Sequence, residues 1–133
     1  MNWLKLTNFH LRPPTANTFA RKPNDQLKYD QHRYTLKQNQ VPIEEYINKK
    51  YLKSRFKWAI TDNNFPYDVE PGVKHKILWI SNLASLDSGK IHNIIDRYAK
   101  NNQSDYVYFE NKNNSKSIPE VRHFHLFLHS GKK

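Results

Sequence analysis

The sequence predicts a single α+β domain, in which helices come first and a strand, helix, strand, loop and strand follow. Two segments carry this prediction. Residues 85–100 repeat their apolar positions at the spacing of a helix, whereas residues 121–129 alternate two kinds of side chain, as a strand does. A length of 133 residues suits one such domain with one core.

The predicted organisation has three parts. Residues 1–23 form an irregular arm with one short turn of structure, because three prolines interrupt any long element there. Residues 24–129 form the α+β domain. Residues 130–133 form a tail that is expected to fray.

Two helices are expected at the start of the domain, as an N-terminal helical extension. Residues 24–39 contain neither Pro nor Gly and begin with capping residues. Residues 42–55 begin with a proline that suits the first helical position, and Glu44 and Glu45 complement the positive end of the helix.

The rest of the domain follows from short apolar runs and turn residues. Asp87 or Ser85 is expected to cap the helix at residues 85–100. The predicted elements in chain order are a strand at 56–60, a loop at 65–72, a strand at 75–80, the helix at 85–100, a strand at 105–110, a polar loop at 111–119 and a strand at 121–129.

The composition narrows the class of partner. Lys and Arg number 22 against 12 Asp and Glu, and the resulting net charge of +10 attracts phosphates on nucleotides, on nucleic acid or on acidic surfaces. The many Asn and Lys codons indicate an AT-rich genome, such as that of some large DNA viruses, protists or intracellular bacteria, and this drift alone raises the charge. The charge therefore predicts an anionic partner without identifying it.

Several classes of protein are excluded by what the sequence lacks. Zero cysteines exclude disulfides, thiolate nucleophiles and zinc ribbons. No apolar run reaches the roughly eighteen residues that span a bilayer, and residues 1–10 lack the apolar stretch of a signal peptide. We therefore expect an unsecreted, cytoplasmic protein, placed in the host cytoplasm or the virion if it is viral. The Walker, GxGxxG, HExxH and GxSxG motifs are also absent.

The last predicted strand contains the strongest candidate for a functional site. Period-two alternation divides its side chains between two faces, one apolar and packed on the core, the other turned toward a cleft. The apolar face has Phe124, Leu126 and Leu128, and the other has His123, His125, Phe127 and His129.

Three interpretations of the histidine face remain open. Histidine switches between proton donor and acceptor near neutral pH, so His123 and His125 suit attack on a phosphorus atom and orientation of the phosphate. Alternatively, the same pair binds zinc or iron with His75 or His129 as a third ligand, although no carboxylate ligand stands out. In the third interpretation the pair is merely tolerated on a half-exposed sheet surface. The sequence indicates no particular cofactor.

Residues near this strand supply groups that hold phosphate oxygens. The loop at 111–119 offers the amide of Asn111, the ammonium group of Lys116 and the hydroxyl of Ser117, although an ordinary solvated loop has the same composition. Gly72, shortly before His75, permits close approach of a ligand to the backbone.

A second candidate surface combines basic and aromatic residues. Such interleaving suits phosphate contacts and base stacking, and it also occurs on an ordinary solvated helix face. It makes a non-enzymatic, basic nucleic-acid-binding or assembly protein an alternative. The residues are Lys49, Lys50, Lys53, Arg55 and Lys57, with Tyr51, Phe56 and Trp58 between or beside them.

Four ordered blocks carry a resemblance to a known family. Residues 64–75, NFPYDVEPGVKH, resemble the pattern N-[WF]-P-Y-x-[LIV]-x-P-G-[IV]-x-H. Residues 108–111, 116–118 and 123–125 resemble the blocks [WF]-F-x-N, [QK]-S-[VI] and H-F-H-V. The chain thus resembles, from about residue 20 to residue 129, the fungal N-acetylglucosamine-induced protein family, which large DNA viruses also carry. That family is described mainly as a domain of unknown function.

The same blocks also resemble, more distantly, the histidine-triad superfamily. This resemblance implies an antiparallel sheet with packed helices around a nucleotide phosphate. It implies that the Pro-Gly-His segment starts a strand lining the pocket, that an Asn and a Ser hold phosphate oxygens, and that two histidines are catalytic. The corresponding residues are Pro71, Gly72 and His75, then Asn111 and Ser117, then His123 and His125.

Two departures from the triad pattern bear on the activity. Val121 and Phe127 stand where a third histidine would be, which leaves the nucleophile as His123 or His125. Five residues separate Ser117 from His123, more than the pattern has. The resemblance implies a domain that binds a nucleotide, nucleotide sugar or sugar phosphate, and it hints at a homodimer. The two departures leave ligand binding better supported than phosphohydrolase or nucleotidyl transferase activity.

Overall fold

The computed structural model describes residues 1–14, 18–111 and 121–130. Helices and a four-stranded antiparallel sheet make up the domain, which confirms the α+β class. The helices are α1 (Trp3–Thr7), α2 (Pro23–Gln38), α3 (Ile43–Lys50) and α4 (Ser88–Asn101). The strands are β1 (Trp58–Asp62), β2 (Val73–Ile80), β3 (Asp105–Phe109) and β4 (His123–His129).

The two central strands carry the predicted histidines. The strand order is β1-β2-β4-β3, and all three pairings are antiparallel. His75 pairs with Phe127, and Ile77 pairs with His125. Because residues opposite each other in an antiparallel pair point to the same face, His75 and His125 share one face of the sheet, together with His123.

Helix α4 covers the opposite, apolar face. Its N-terminus is capped by Asp87, whose carboxylate accepts the Lys90 backbone N–H at 2.8 Å, so Asp87 and not Ser85 is the cap. The apolar stripe of the helix packs on the apolar face of β4, as the two periodicities predict. The buried residues of this cluster are Leu78, Ile80, Ile91, Ile95, Ala99, Tyr108, Phe124, Leu126 and Leu128.

The helices at the start of the chain cover the histidine face. Ile47 of α3 packs in a cluster with Ile77 and Trp79 of β2. Leu6 of α1 is fully buried in a cluster that includes Phe127. The segment predicted as an irregular arm thus contains a short helix that contributes to the core.

Several predicted boundaries differ from those of the structure by two or three residues, and the largest error lies at the end of α3. Helix α3 ends at Lys50 instead of Arg55, because Lys53 and Ser54 adopt left-handed backbone conformations, with φ of 54° and 58°. The strand predicted at 56–60 begins at Trp58 and ends at Asp62. Among the described helices, none is both long and apolar enough to cross a bilayer.

Candidate functional site

Three histidines lie buried on the same face of the central strands. His75 is on β2, and His123 and His125 are on β4, with exposed fractions of 6%, 3% and 4%. Histidine is more often partly exposed, and a buried imidazole needs hydrogen-bond partners for its nitrogens. The partners of each ring therefore decide what the site can do.

The backbone fixes the tautomers of His75 and His125. The Tyr67 N–H, which can only donate, points to His75 Nδ1 at 3.1 Å, so Nδ1 accepts and the proton of neutral His75 is on Nε2. His75 Nε2 lies 2.9 Å from His125 Nδ1, which therefore accepts in turn. It follows that neutral His125 carries its proton on Nε2.

The proton on His125 Nε2 points toward two further side chains. The Tyr67 hydroxyl oxygen lies at 3.4 Å and the Asn111 amide nitrogen at 3.3 Å. Among the described residues, Asn111 Oδ1 is a buried side-chain atom that has no hydrogen-bond partner. In this orientation two donors, the Asn111 NH₂ group and the His125 Nε2 proton, face each other while Oδ1 is unpaired. A half-turn of the Asn111 amide removes both defects, because Oδ1 then accepts the Nε2 proton and the NH₂ group moves to the former position of Oδ1.

Burial keeps this histidine pair neutral. Desolvation, aided by the positive charge of Arg21, lowers the pKa of His75 from 6.5 to about 3. Desolvation also lowers the pKa of His125 well below 6.5, with smaller contributions from His75, His123 and Arg21. At neutral pH both rings therefore act as uncharged members of one hydrogen-bond chain.

His123 is held in the opposite tautomer. Its Nδ1 lies 2.8 Å from the Val121 carbonyl oxygen, which can only accept, so Nδ1 carries the proton. The lone pair of neutral His123 is therefore on Nε2. The ring lies against Trp79, with centroids 5.3 Å apart, and against His125 at 5.6 Å.

His123 and His125 line a narrow cleft between the sheet and helices α2 and α3. Its volume of about 40 Å³ has room for only a few water molecules in this conformation. Its walls include two arginines, several aromatic rings and one carboxylate, that of Asp62, which forms an ion pair with Lys76. The arginines and rings are Arg21, Arg33, Tyr29, His32, Tyr46, Tyr51, Phe65 and Trp79.

The two arginines are positioned by hydrogen bonds and rings. Arg21 forms an antiparallel bridge with Tyr67, and its Nε–H donates to the Phe65 carbonyl at 2.7 Å. Its guanidinium group lies 4.1 Å from the centre of the Tyr29 ring. Arg33 Nη1 donates to the Tyr29 hydroxyl at 3.2 Å. Two cationic groups therefore stand beside the histidine strand.

The structure brings together four of the sequence-predicted site residues. His75, Asn111, His123 and His125 are joined by the contacts described above. Lys116 and Ser117 lie outside the described residues.

Pro71 and Gly72 do not line the cleft of His123 and His125, although Pro71 lines a neighbouring concave surface together with Tyr67 and His75. Pro71 and Gly72 precede Val73, which pairs with His129, four residues along β4 from His125. Gly72 has a φ of 94°, and a Cβ added there would meet no described heavy atom within 4 Å. The positive φ of the turn is by itself a sufficient reason for a glycine at this position.

The metal interpretation finds no support in the described residues. Among them, no group of three His, Asp or Glu side chains is arranged to hold a metal ion. His75 Nε2 and His125 Nδ1, which would have to face a common ion, instead share a proton at 2.9 Å.

Sequence reasoning missed Arg21, Tyr29, Arg33 and Tyr67. Arg21 falls within the predicted arm, and the apolar residues of 24–39, Leu27, Tyr34 and Leu36, follow the helical period only irregularly. A usable signal was present, because Tyr29, His32 and Arg33 stand at i, i+3 and i+4 and therefore share one face of α2.

The fold and the site define an α+β domain whose central strands hold a neutral histidine pair beneath a cleft walled by arginines and aromatic rings. The chain belongs to the family described as protein of unknown function (DUF3605), whose sequence model matches residues 3–129. The match includes most of the arm. The family region therefore begins near residue 3, earlier than the start at about residue 20 that the resemblance implied.

One solved structure, described as the crystal structure of HTC1, is similar in fold. It matches with a TM-score of 0.58 and 21% identity over 83% of this chain and 75% of that chain. At this identity the likeness shows the fold alone. A search of the curated proteins found no match. Neither comparison names an N-acetylglucosamine-induced or a histidine-triad protein.

Proposed function

We propose that this protein binds a phosphate-bearing small molecule, a nucleotide or a sugar phosphate, in the cleft beside His123 and His125. One observation carries the proposal: a buried histidine whose lone pair is on Nε2 lines the same cleft as two arginines. Guanidinium groups recognise phosphate oxygens in a bidentate manner, and imidazole is the side chain best suited to exchange protons with phosphate near pH 7.

The aromatic walls favour a ligand with a flat or apolar part. Tyr51 stacks on Trp79 with ring centroids 5.2 Å apart and an angle of 6° between the planes. Tyr29 and Phe65 meet edge to face at 5.5 Å near the arginines. Rings of this kind pack against a base or against the apolar face of a sugar.

The cleft must widen to admit such a ligand. Every residue of α2, which forms one wall, is exposed or half-buried, and Leu27 and Tyr34 are 56% and 64% exposed. A helix that buries so little apolar surface is displaced at low cost. Movement of α2 against the sheet therefore opens the site.

In this proposal the two strand histidines have different roles. His123 Nε2, which carries the lone pair, is the nucleophile: it attacks phosphorus, a P–N bond forms and the bond to the leaving oxygen breaks. Water then breaks the P–N bond in a phosphohydrolase, or an acceptor hydroxyl does so in a nucleotidyl transferase. His125 keeps its proton and orients its neighbours through Tyr67 and Asn111.

The resemblance to histidine-triad proteins supplies the remaining groups. It assigns phosphate oxygens to Asn111 and Ser117, and it gives Pro71 and Gly72 the turn that leads into the pocket strand at His75. The ammonium group of Lys116, next to Ser117 in the sequence, adds a positive charge for the phosphate. With its amide turned as the hydrogen bonds require, Asn111 offers a buried NH₂ group next to His125. A homodimer and residence in the cytoplasm belong to the same proposal.

Calorimetry and thermal shift with inorganic phosphate, AMP, a nucleotide sugar and a hexose phosphate test binding. We expect a ligand that raises the melting temperature of the wild type, because binding to the folded state stabilises it. Arg33→Gln and His123→Ala should weaken that ligand about tenfold or more. Arg97→Gln, on the exposed side of α4, is the matched control and should bind normally.

Two results of these measurements would contradict the proposal. If no phosphate compound shifts the melting temperature, or if Arg97→Gln weakens binding as much as Arg33→Gln, the cleft is not a phosphate site. Turnover is tested separately by following product release. Binding without product would retain the site and remove the transferase and hydrolase roles.

A further inference from the structure

A second concave surface lies apart from the histidine cleft. It is formed by the end of α3, by the loop into β1 and by the segment after β2, and its volume is about 370 Å³. We call it the Phe56 groove. It is lined by Asn48, Leu52, Ser54, Arg55, Phe56, Lys57, Ser81, Asn82, Leu83 and Ala84, none of which lines the histidine cleft.

The groove exposes large apolar side chains. Phe56 is 44% exposed, and Leu83 is 98% exposed on the other wall. Trp58, 40% exposed, follows at the start of β1. Isolated apolar residues are common on protein surfaces, but several around one groove indicate an interaction site.

The same groove is positively charged. The Arg55 guanidinium carbon lies 4.8 Å from the centre of the Phe56 ring, and Lys57 is the next residue. Among the described residues, the lining contains no Asp or Glu. A ligand that fits must therefore combine negative charge with flat apolar surface.

The backbone holds these side chains in a defined arrangement. The N–H groups of Arg55 and Phe56 donate to the Leu52 carbonyl at 3.1 and 2.9 Å, and the Ser81 N–H donates to the Lys57 carbonyl at 2.8 Å. The loop that forms one wall is therefore ordered before any ligand arrives. Preorganisation of this kind reduces the entropy lost on binding.

We propose that the Phe56 groove binds single-stranded nucleic acid. Unpaired bases stack on exposed aromatic rings, and Arg and Lys contact the phosphates between them. In a duplex the bases are already stacked on each other and cannot cover Phe56. A membrane surface meets a protruding apolar patch more readily than a concave one, so the concave shape favours a strand laid in the groove.

Fluorescence anisotropy with a labelled twelve-nucleotide single strand, its duplex and vesicles of anionic lipid tests the proposal on the full chain. We expect the single strand to bind more tightly than the duplex. Phe56→Ala should weaken single-strand binding about tenfold, whereas Phe56→Tyr, which keeps the ring, should preserve it. Because Phe56 is half exposed, both variants are expected to fold, and circular dichroism checks this.

The charge contribution is measured by salt dependence. The double substitution Arg55→Gln with Lys57→Gln should reduce the slope of log affinity against log salt by about 1.4, as expected for two phosphates of a single strand. The matched control, Lys90→Gln with Arg97→Gln on exposed positions of α4, removes the same charge and should leave the slope nearly unchanged.

Three outcomes would overturn this inference. Equal losses in the two double variants would show that the net charge of +10 attracts nucleic acid without a defined site. Equal affinity for duplex and single strand would remove the role of stacking. If Phe56→Ala loses binding to vesicles while its binding to the single strand is unchanged, the groove is a membrane site. His123→Ala should not affect any of these measurements, which keeps this test separate from that of the histidine cleft.

Discussion

The two faces of β4 are both buried but are stabilised by different interactions. The face toward α4 holds Leu126, which is fully buried among aliphatic and aromatic side chains. The opposite face holds His125, which is 4% exposed and joined to its neighbours by hydrogen bonds. Apolar contacts do not depend on direction, whereas a hydrogen bond between two imidazole rings requires each ring to have one particular tautomer and orientation.

The two faces therefore differ in how well they tolerate substitution and in how much they contribute to stability. An apolar face tolerates another apolar side chain of similar volume at small cost. A neutral histidine pair contributes less to stability than such a face, since burying polar groups is favourable only when every one is paired. The two faces should therefore respond differently to substitution and to pH, and the following predictions test that contrast.

The largest effect is expected on the apolar face. Leu126→Ala removes a fully buried side chain between the sheet and α4, and it should lower the free energy of unfolding by about 2–5 kcal/mol. Urea unfolding followed by tryptophan fluorescence measures this. Leu126→Met, which preserves volume, should cost less than about 1.5 kcal/mol. Equal costs for the two variants would mean that the apolar face is not closely packed.

Acid should destabilise the protein through the histidine face. Burial lowers the pKa of His75 from 6.5 to about 3 and that of His125 well below 6.5, so the unfolded chain binds protons that the folded chain does not. Stability is therefore full above pH 6.5 and is lost progressively as the pH falls from 6.5 toward 3. Unfolding midpoints in urea between pH 7.5 and 4.5 follow this change. A midpoint that does not move over this range would contradict the neutral pair.

Removing the hydrogen bonds of His75 while keeping its shape should have an intermediate effect. His75→Phe retains the stacking on Phe127, where the ring centroids are 4.4 Å apart, but leaves the Tyr67 N–H and His125 Nδ1 without their partner. We expect a loss of about 1–3 kcal/mol and a weaker dependence of stability on pH.

The control for that variant is an exposed residue on α4. Arg97→Gln should change stability by no more than about 0.5 kcal/mol and should leave the pH dependence intact. If His75→Phe is as stable as the wild type, the hydrogen-bond chain through His125 is not needed for the fold.

Most of the fold could be predicted because its strands and helices follow simple periods. The i, i+3, i+4 spacing of Ile91, Ile94 and Ile95 gave α4, and the alternation of residues 121–129 gave β4 with the correct faces. The end of α3 could not be predicted, because Lys and Ser side chains do not signal the left-handed conformations that Lys53 and Ser54 adopt.

The candidate site could be predicted only in part. His123 and His125 were found from local alternation, but the partner of His125 is His75, fifty residues earlier in the chain. Arg21 and Tyr67 reach the site through a single antiparallel bridge, which has no signature in the sequence. Local patterns thus identify the strand that carries a site, whereas the side chains around it depend on long-range pairing.

The smallest effect is expected at Gly72, which separates a structural from a functional explanation of the Pro-Gly segment. Its φ of 94° suits glycine, so Gly72→Ala should destabilise the protein by about 1 kcal/mol through backbone strain. The added methyl group meets no described atom within 4 Å, so no clash adds to this cost. Phosphate binding in the histidine cleft should not change in calorimetry. A variant of normal stability that binds phosphate more weakly would instead place the ligand at this turn, beside His129 and away from His123.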